Sequence, residues 1–217
     1  MPKGTYMAAA GATLPVAVVL GAWMRRRNPW PLLAPGQFTL STLVWTIFGT
    51  LGLTLLALSL AEPLTDLFPS SKDELGKLTR EIASMPSWKA WLIVCVLAPL
   101  AEESLFRGAL LRGFRASWGV AAGVAVSSGL FAIFHELAPR MVVTFCMGLW
   151  LGGLTLKSGG LALAVLSHAL NNATALMLMG TELREVPIYF AIPGALAVAL
   201  ASWRLFGTRK ALPDNPR

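Results

Sequence analysis

The stretch Ala98-Pro99-Leu100-Ala101-Glu102-Glu103-Ser104-Leu105-Phe106-Arg107-Gly108 follows directly on the apolar run Trp91-Leu92-Ile93-Val94-Cys95-Val96-Leu97. Two adjacent carboxylates therefore stand where the pattern asks for hydrocarbon. An ionisable side chain inside an apolar span is costly unless it is paired or wet, so this stretch demands either partners or chemistry.

The rest of the chain supports the hydrocarbon reading. Of 217 residues, 55% are hydrophobic and 13% charged, with a mean hydropathy of +0.64; a soluble domain carries about 25% charged residues. Crossing a bilayer takes about 20 mostly apolar residues. The sequence predicts an all-α, polytopic integral membrane bundle. It has about seven transmembrane helices plus a short interfacial helix, in one domain over residues 1–217. The predicted spans are 5–24, 38–61, 88–115, 118–137, 141–156, 159–179 and 188–206. The first stops at Arg25-Arg26-Arg27 and has only Lys3 before it, which reads as an uncleaved span or signal anchor. Between the second and third, Pro63, Pro69 and Pro86 punctuate a charged stretch in which Leu75, Leu78 and Ile82 recur at helical spacing, the pattern of a helix lying at the interface.

A net charge of +7 invites a nucleic-acid reading, but Lys and Arg cluster at the ends of apolar segments and no basic helix with interleaved aromatics occurs. Nucleic acid is excluded as a partner; the lipid bilayer is the implied one. Threading about seven spans puts Arg25–Arg27, Arg107, Arg112, Arg115, Lys157, Arg204, Arg209, Lys210 and Arg217 on one side. The positive-inside rule then predicts N-terminus out and C-terminus in, in a bacterial inner (cell) membrane. Cys95 and Cys146 lie inside apolar runs and read as small buried hydrophobes, with neither a disulfide nor a metal-binding pair.

The intramembrane polar residues fall into few groups: Glu102, Glu103 and Arg107; His135; and His168 with Asn171 and Asn172. Glu103 and Arg107 are four apart, so they share a helix face and can pair. Glu102 is rotated about 100° away and left for chemistry, aimed toward His135. His168 and Asn172 share a face of another helix, and Phe131 precedes His135 by one turn. A glutamate and a histidine can hold and deprotonate a water, and a His–Asn face can donate to a developing oxyanion. The same atoms suit a divalent metal such as zinc, with Glu102, His135 and His168 as ligands. His135-Glu136-Leu137-Ala138-Pro139 is not a His-Glu-x-x-His motif, so those ligands would come from three helices. Competing readings are an ion- or proton-coupled transporter and a non-catalytic membrane scaffold.

The three motifs together resemble the CPBP family of intramembrane proteases: CAAX prenyl proteases of the Ras-converting type, bacteriocin-processing and abortive-infection proteins. Its pattern Glu-Glu-x-x-x-Arg, Phe-x-x-x-His and His-x-x-x-Asn is matched by Glu102–Arg107, Phe131–His135 and His168–Asn172, in order, within about 88–180. The resemblance implies an endopeptidase acting on a membrane-anchored protein or peptide. It implies that Glu102 and His135 activate water, that His168 and Asn172 stabilise the oxyanion, and that Glu103, Arg107 and Phe131 support them. Whether a metal takes part is left open by the resemblance.

Overall fold

The computed structural model describes residues 33–179, 181 and 186–207. The predicted first span and its arginine cluster lie outside the described residues. All regular structure among the described residues is helical. In chain order, α1 spans Leu40–Leu67, the short amphipathic α2 spans Lys72–Ala83, and a 47-residue helical run spans Ser87–Ile133. Then follow α5 (Ala138–Ser158), α6 (Ala162–Leu178) and α7 (Ile188–Gly207).

The long run is two legs. Gly119 has φ 84° and ψ 174°, a conformation essentially reserved for glycine, and the helix reverses there. We call the legs α3 (87–118) and α4 (120–133). Residues about equally far from Gly119 meet: Gly123 lies against the Arg115 backbone, and the Phe106 and Phe131 rings are 5.0 Å apart. The reversal point is close to the predicted break between the spans 88–115 and 118–137.

Four helices are long and apolar enough to cross a membrane: α1, the Ser87–Ile133 run, α5 and α7. This is an integral membrane protein. Hydropathy predicted about seven spans; one of those lies outside the described residues, two are joined into the Ser87–Ile133 run, and α6 is shorter, at 17 residues. Two boundaries and one burial differ from expectation. α1 continues through Pro63 to Leu67, where the prolines had suggested an earlier stop. α4 ends at Ile133, so His135 sits in the turn beyond the helix, next to Glu136 with its positive φ of 56°. Cys146, read as buried, is exposed on the outer face of α5, while Cys95 is buried; both are free thiols.

The bundle is apolar outside and partly polar inside, as a lipid-facing surface requires. Leu92, Val96, Leu100, Ile192 and Leu196 are exposed, whereas Thr46, Thr50, Thr54 and Ser167 are buried. The threonines form a stripe at four-residue spacing along α1, which they can do because each hydroxyl can bond the carbonyl four residues back. α1 packs against α7 through small residues: Gly49 against Ala201, and Gly52 against Ala197 and Gly194. Before α1, the chain crosses the α5–α6 turn so closely that Gly36 and Gly160 leave no room for a Cβ. There the carbonyls of Ala34 and Pro35 accept from the N–H groups of Leu161 and Ala162, capping the start of α6. α2 buries no residue fully: Leu75, Leu78 and Ile82 are half-buried and Asp73, Glu74, Lys77 and Arg80 are exposed, consistent with an interfacial helix.

Candidate active site

Pro99 shapes the helix that carries the two glutamates. On either side of the α-helical turn Ala98–Glu103 the chain widens into π-helix, at Leu92–Leu97 and Ser104–Leu110. Within the first widened turn the Ala98 N–H bonds to the Ile93 carbonyl, five residues back. Continuing that register would give the Val94 carbonyl the N–H of Pro99, which proline lacks. Around Pro99 the helix therefore changes type rather than breaking, and one carbonyl is left for a partner from elsewhere. That partner is Asn172 on α6, whose Nδ2 donates to the Val94 oxygen at 2.9 Å.

Glu103 and Arg107 are both fully buried and pair at 3.0 Å, as their spacing predicted. The same Glu103 Oε1 also accepts from His168 Nδ1 at 2.8 Å, a contact that spacing along one helix could not reveal. Arg107 donates its Nη2 to the Gly148 carbonyl of α5 at 3.2 Å and lies over the Phe131 ring, with its central carbon 4.2 Å from the ring centre. One buried arginine thus joins α3, α4 and α5, which offsets the cost of its charge. Phe131 is the hub beneath the site. Its ring lies edge-on to those of His135 and His168, at 4.8 and 5.6 Å, and its carbonyl accepts from His135 Nδ1 at 2.8 Å.

The tautomers follow from the partners. A carbonyl only accepts, so His135 carries its proton on Nδ1 and leaves the Nε2 lone pair free. His168 donates Nδ1–H to Glu103, and its Nε2 faces Glu102 Oε2 at 3.8 Å. That Glu102 oxygen is buried and has no hydrogen-bond partner among the described residues. The structure thus brings Glu102, Glu103, Arg107, Phe131, His135, His168 and Asn172 into one region. It differs from expectation in one respect: the imidazole directly facing Glu102 is His168, and His135 approaches from the turn after α4.

Sequence reading passed over several contributors. Arg140, in the first turn of α5, is near enough for its charge to act on both Glu102 and His135. It follows the His135 turn closely, but a lone arginine beside a proline carries no pattern of its own. Thr54 and Ser167 are likewise silent in sequence. Thr54 bonds Asn171, and Ser167 meets Thr50 at 2.6 Å with Trp150 Nε1 donating to both.

A zinc-type shell needs three converging ligands. Among the described residues no three His, Cys, Asp or Glu side chains gather in metal-binding positions. His168 Nδ1 is taken by Glu103 and His135 Nδ1 by the Phe131 carbonyl, so only the two Nε2 atoms would be open to a metal. As arranged, Glu102, His135 and His168 do not form a metal site, and no step below passes through a metal.

Comparison with known proteins agrees with the motifs. Residues 84–174 match the family described as type II CAAX prenyl endopeptidase, Rce1-like. The chain is also 38% identical over 82 residues to an uncharacterised 24.3 kDa protein of Escherichia coli. That alignment covers 36% of this chain and 38% of the relative. No solved structure matches. All seven residues singled out by the motifs fall inside 84–174, the segment in which this chain is similar to the type II CAAX prenyl endopeptidase, Rce1-like family.

Proposed function

We propose that the protein is an intramembrane endopeptidase that hydrolyses a peptide bond of a membrane-tethered protein or peptide. It would act in a bacterial inner membrane, with N-terminus out and C-terminus in. The observation that carries this reading is the buried Glu102 Oε2, without a hydrogen bond and 3.8 Å from His168 Nε2, in a site built from helices far apart in sequence. A carboxylate placed so has an acceptor to spare for a water.

In this reading Glu102 holds the water and His135 Nε2 takes its proton. The water oxygen bonds to the scissile carbonyl carbon while the carbonyl electron pair moves to oxygen. Asn172 supplies one N–H to that oxyanion, since Val94 uses only one of its two. His168 is held beside that oxygen, its Nδ1 bonded to Glu103 and its Nε2 facing Glu102. When the C–N bond breaks, the amine leaves with the proton held by His135. Glu103, Arg107 and Phe131 hold the rings in place.

The test uses purified protein in proteoliposomes with two internally quenched peptides, one farnesylated with a CAAX tail and one carrying a single apolar span. Cleavage of either, lost by about 10²- to 10⁴-fold in Glu102→Gln with an unchanged unfolding midpoint, supports the reading. Cleavage of neither, or cleavage indifferent to Glu102, sinks it.

A further inference from the structure

Four hydrogen-bonding groups run in a line from α1 to the proline-widened turn of α3. Thr54 Oγ1 lies 2.9 Å from Asn171 Oδ1, Asn171 Nδ2 lies 3.4 Å from Asn172 Oδ1, and Asn172 Nδ2 lies 2.9 Å from the Val94 carbonyl. The direction of the line is fixed at its far end. The Val94 carbonyl only accepts, so Asn172 must turn its NH₂ toward it and its oxygen toward Asn171. Asn171 must then turn its own NH₂ toward Asn172 and its oxygen toward Thr54. That oxygen needs a donor, and Thr54 is the one available.

Thr54 Oγ1 is also 2.9 Å from the Thr50 carbonyl. A hydroxyl has a single proton. Given to Thr50, it would leave two oxygens facing each other at the Thr54–Asn171 contact; given to Asn171, it completes the line to Val94, and the Thr50 carbonyl keeps the N–H bond of its own helix. The threonine before it in the stripe is under no such demand. Thr50 donates to the Thr46 carbonyl and meets Ser167, whose own hydroxyl can be the donor of that contact, while Trp150 donates to Thr50.

We infer that Thr54 and Asn171 are positioning residues for Asn172, holding its amide in the orientation that Val94 selects and so keeping its second N–H aimed into the active site. This rests on the protease reading above. It extends the working site to α1, outside the segment 84–174 that matches the family. It also gives Pro99 a role: the missing N–H of Pro99 creates the acceptor that sets the polarity of the whole line. With a methyl in place of the Thr54 hydroxyl, Asn171 loses the donor that favours its orientation. The Asn172 amide is then held only at Val94, through a long contact to an Asn171 that is free to turn.

The experiment measures cleavage of the quenched peptides by Thr54→Val, Thr54→Ser, Asn171→Ala and Glu102→Gln proteins in proteoliposomes, with unfolding midpoints in detergent. Thr54→Val is expected to lower kcat by about 10- to 100-fold with KM within twofold. Thr54→Ser, which keeps the hydroxyl, restores kcat, and Asn171→Ala resembles Thr54→Val. A Thr54→Val protein with a lowered midpoint but kcat within twofold of wild type would show the line to be structural only and overturn the inference. Cleavage that survives Glu102→Gln overturns the protease reading instead, whatever Thr54→Val does.

Discussion

Glu103 Oε1 accepts from His168 Nδ1 at 2.8 Å across 65 residues of sequence, while the same oxygen holds Arg107 at 3.0 Å. Of the two adjacent glutamates, this one ties the site together. Glu102, one position earlier and turned to a different side, has no hydrogen-bond partner among the described residues at its buried Oε2, which faces His168 Nε2 at 3.8 Å.

Removing Glu103 should therefore damage folding and activity by separate routes. Glu103→Ala leaves Arg107 buried without its carboxylate, which costs about 3–5 kcal/mol in comparable buried pairs. Thermal unfolding in detergent should show that loss. The double substitution Glu103→Leu with Arg107→Met removes both charges and should recover much of the stability. It should not recover cleavage, because the His168 ring has lost its tether. A double variant no more stable than Glu103→Ala would show that the site is not held by this charge balance.

Pro99 and Asn172 should be energetically coupled. Pro99→Ala supplies an N–H that can reach the Val94 carbonyl, making the Asn172 bond redundant. A double-mutant cycle with Asn172→Ala should give a coupling of about 0.5–1.5 kcal/mol, the net value of one such hydrogen bond. Strict additivity in the unfolding data would separate the two residues.

Gly119 and Gly113 lie six residues apart on the same helical run, and an added Cβ meets nothing at either position. Only Gly119 has a positive φ. Gly119→Ala should cost about 1–3 kcal/mol through backbone strain, and Gly113→Ala should gain up to about 1 kcal/mol through helix propensity. Equal shifts in unfolding midpoint would mean that the reversal between α3 and α4 does not depend on glycine.

Metal removal should leave activity standing. Among the described residues no three His, Cys, Asp or Glu side chains converge on a metal position. Cleavage should persist after treatment with a strong chelator, and elemental analysis should find well under one zinc per chain. Activity lost to the chelator and restored by zinc alone would reverse this prediction.

Much of the candidate site could be read directly. Spacing along single helices paired Glu103 with Arg107 and set His168 and Asn172 on one face, because the 3.6-residue turn is a local property of the chain. Hydropathy likewise marked the apolar segments, though α1 overran its predicted end at Pro63 and His135 fell just past the end of α4 rather than within it. What spacing could not show was which helices touch. That Glu102 faces His168 directly, and that Thr54 bonds Asn171, depend on contacts between residues far apart in the chain.

The sequence by itself thus determined that this chain is a helical membrane protein, and it named the carboxylates, imidazoles and amide that would have to be accommodated there. Both follow from local quantities: transfer free energy per residue and angle per residue. The tertiary structure alone decided that Glu103 is tied to His168 as well as to Arg107 and that Glu102 faces the other nitrogen of that ring. It also decided which ring nitrogen carries the proton, and that a carbonyl stripped of its donor by Pro99 is met by Asn172. A hydrogen bond is directional and short, so its partners are settled only when separate helices have packed.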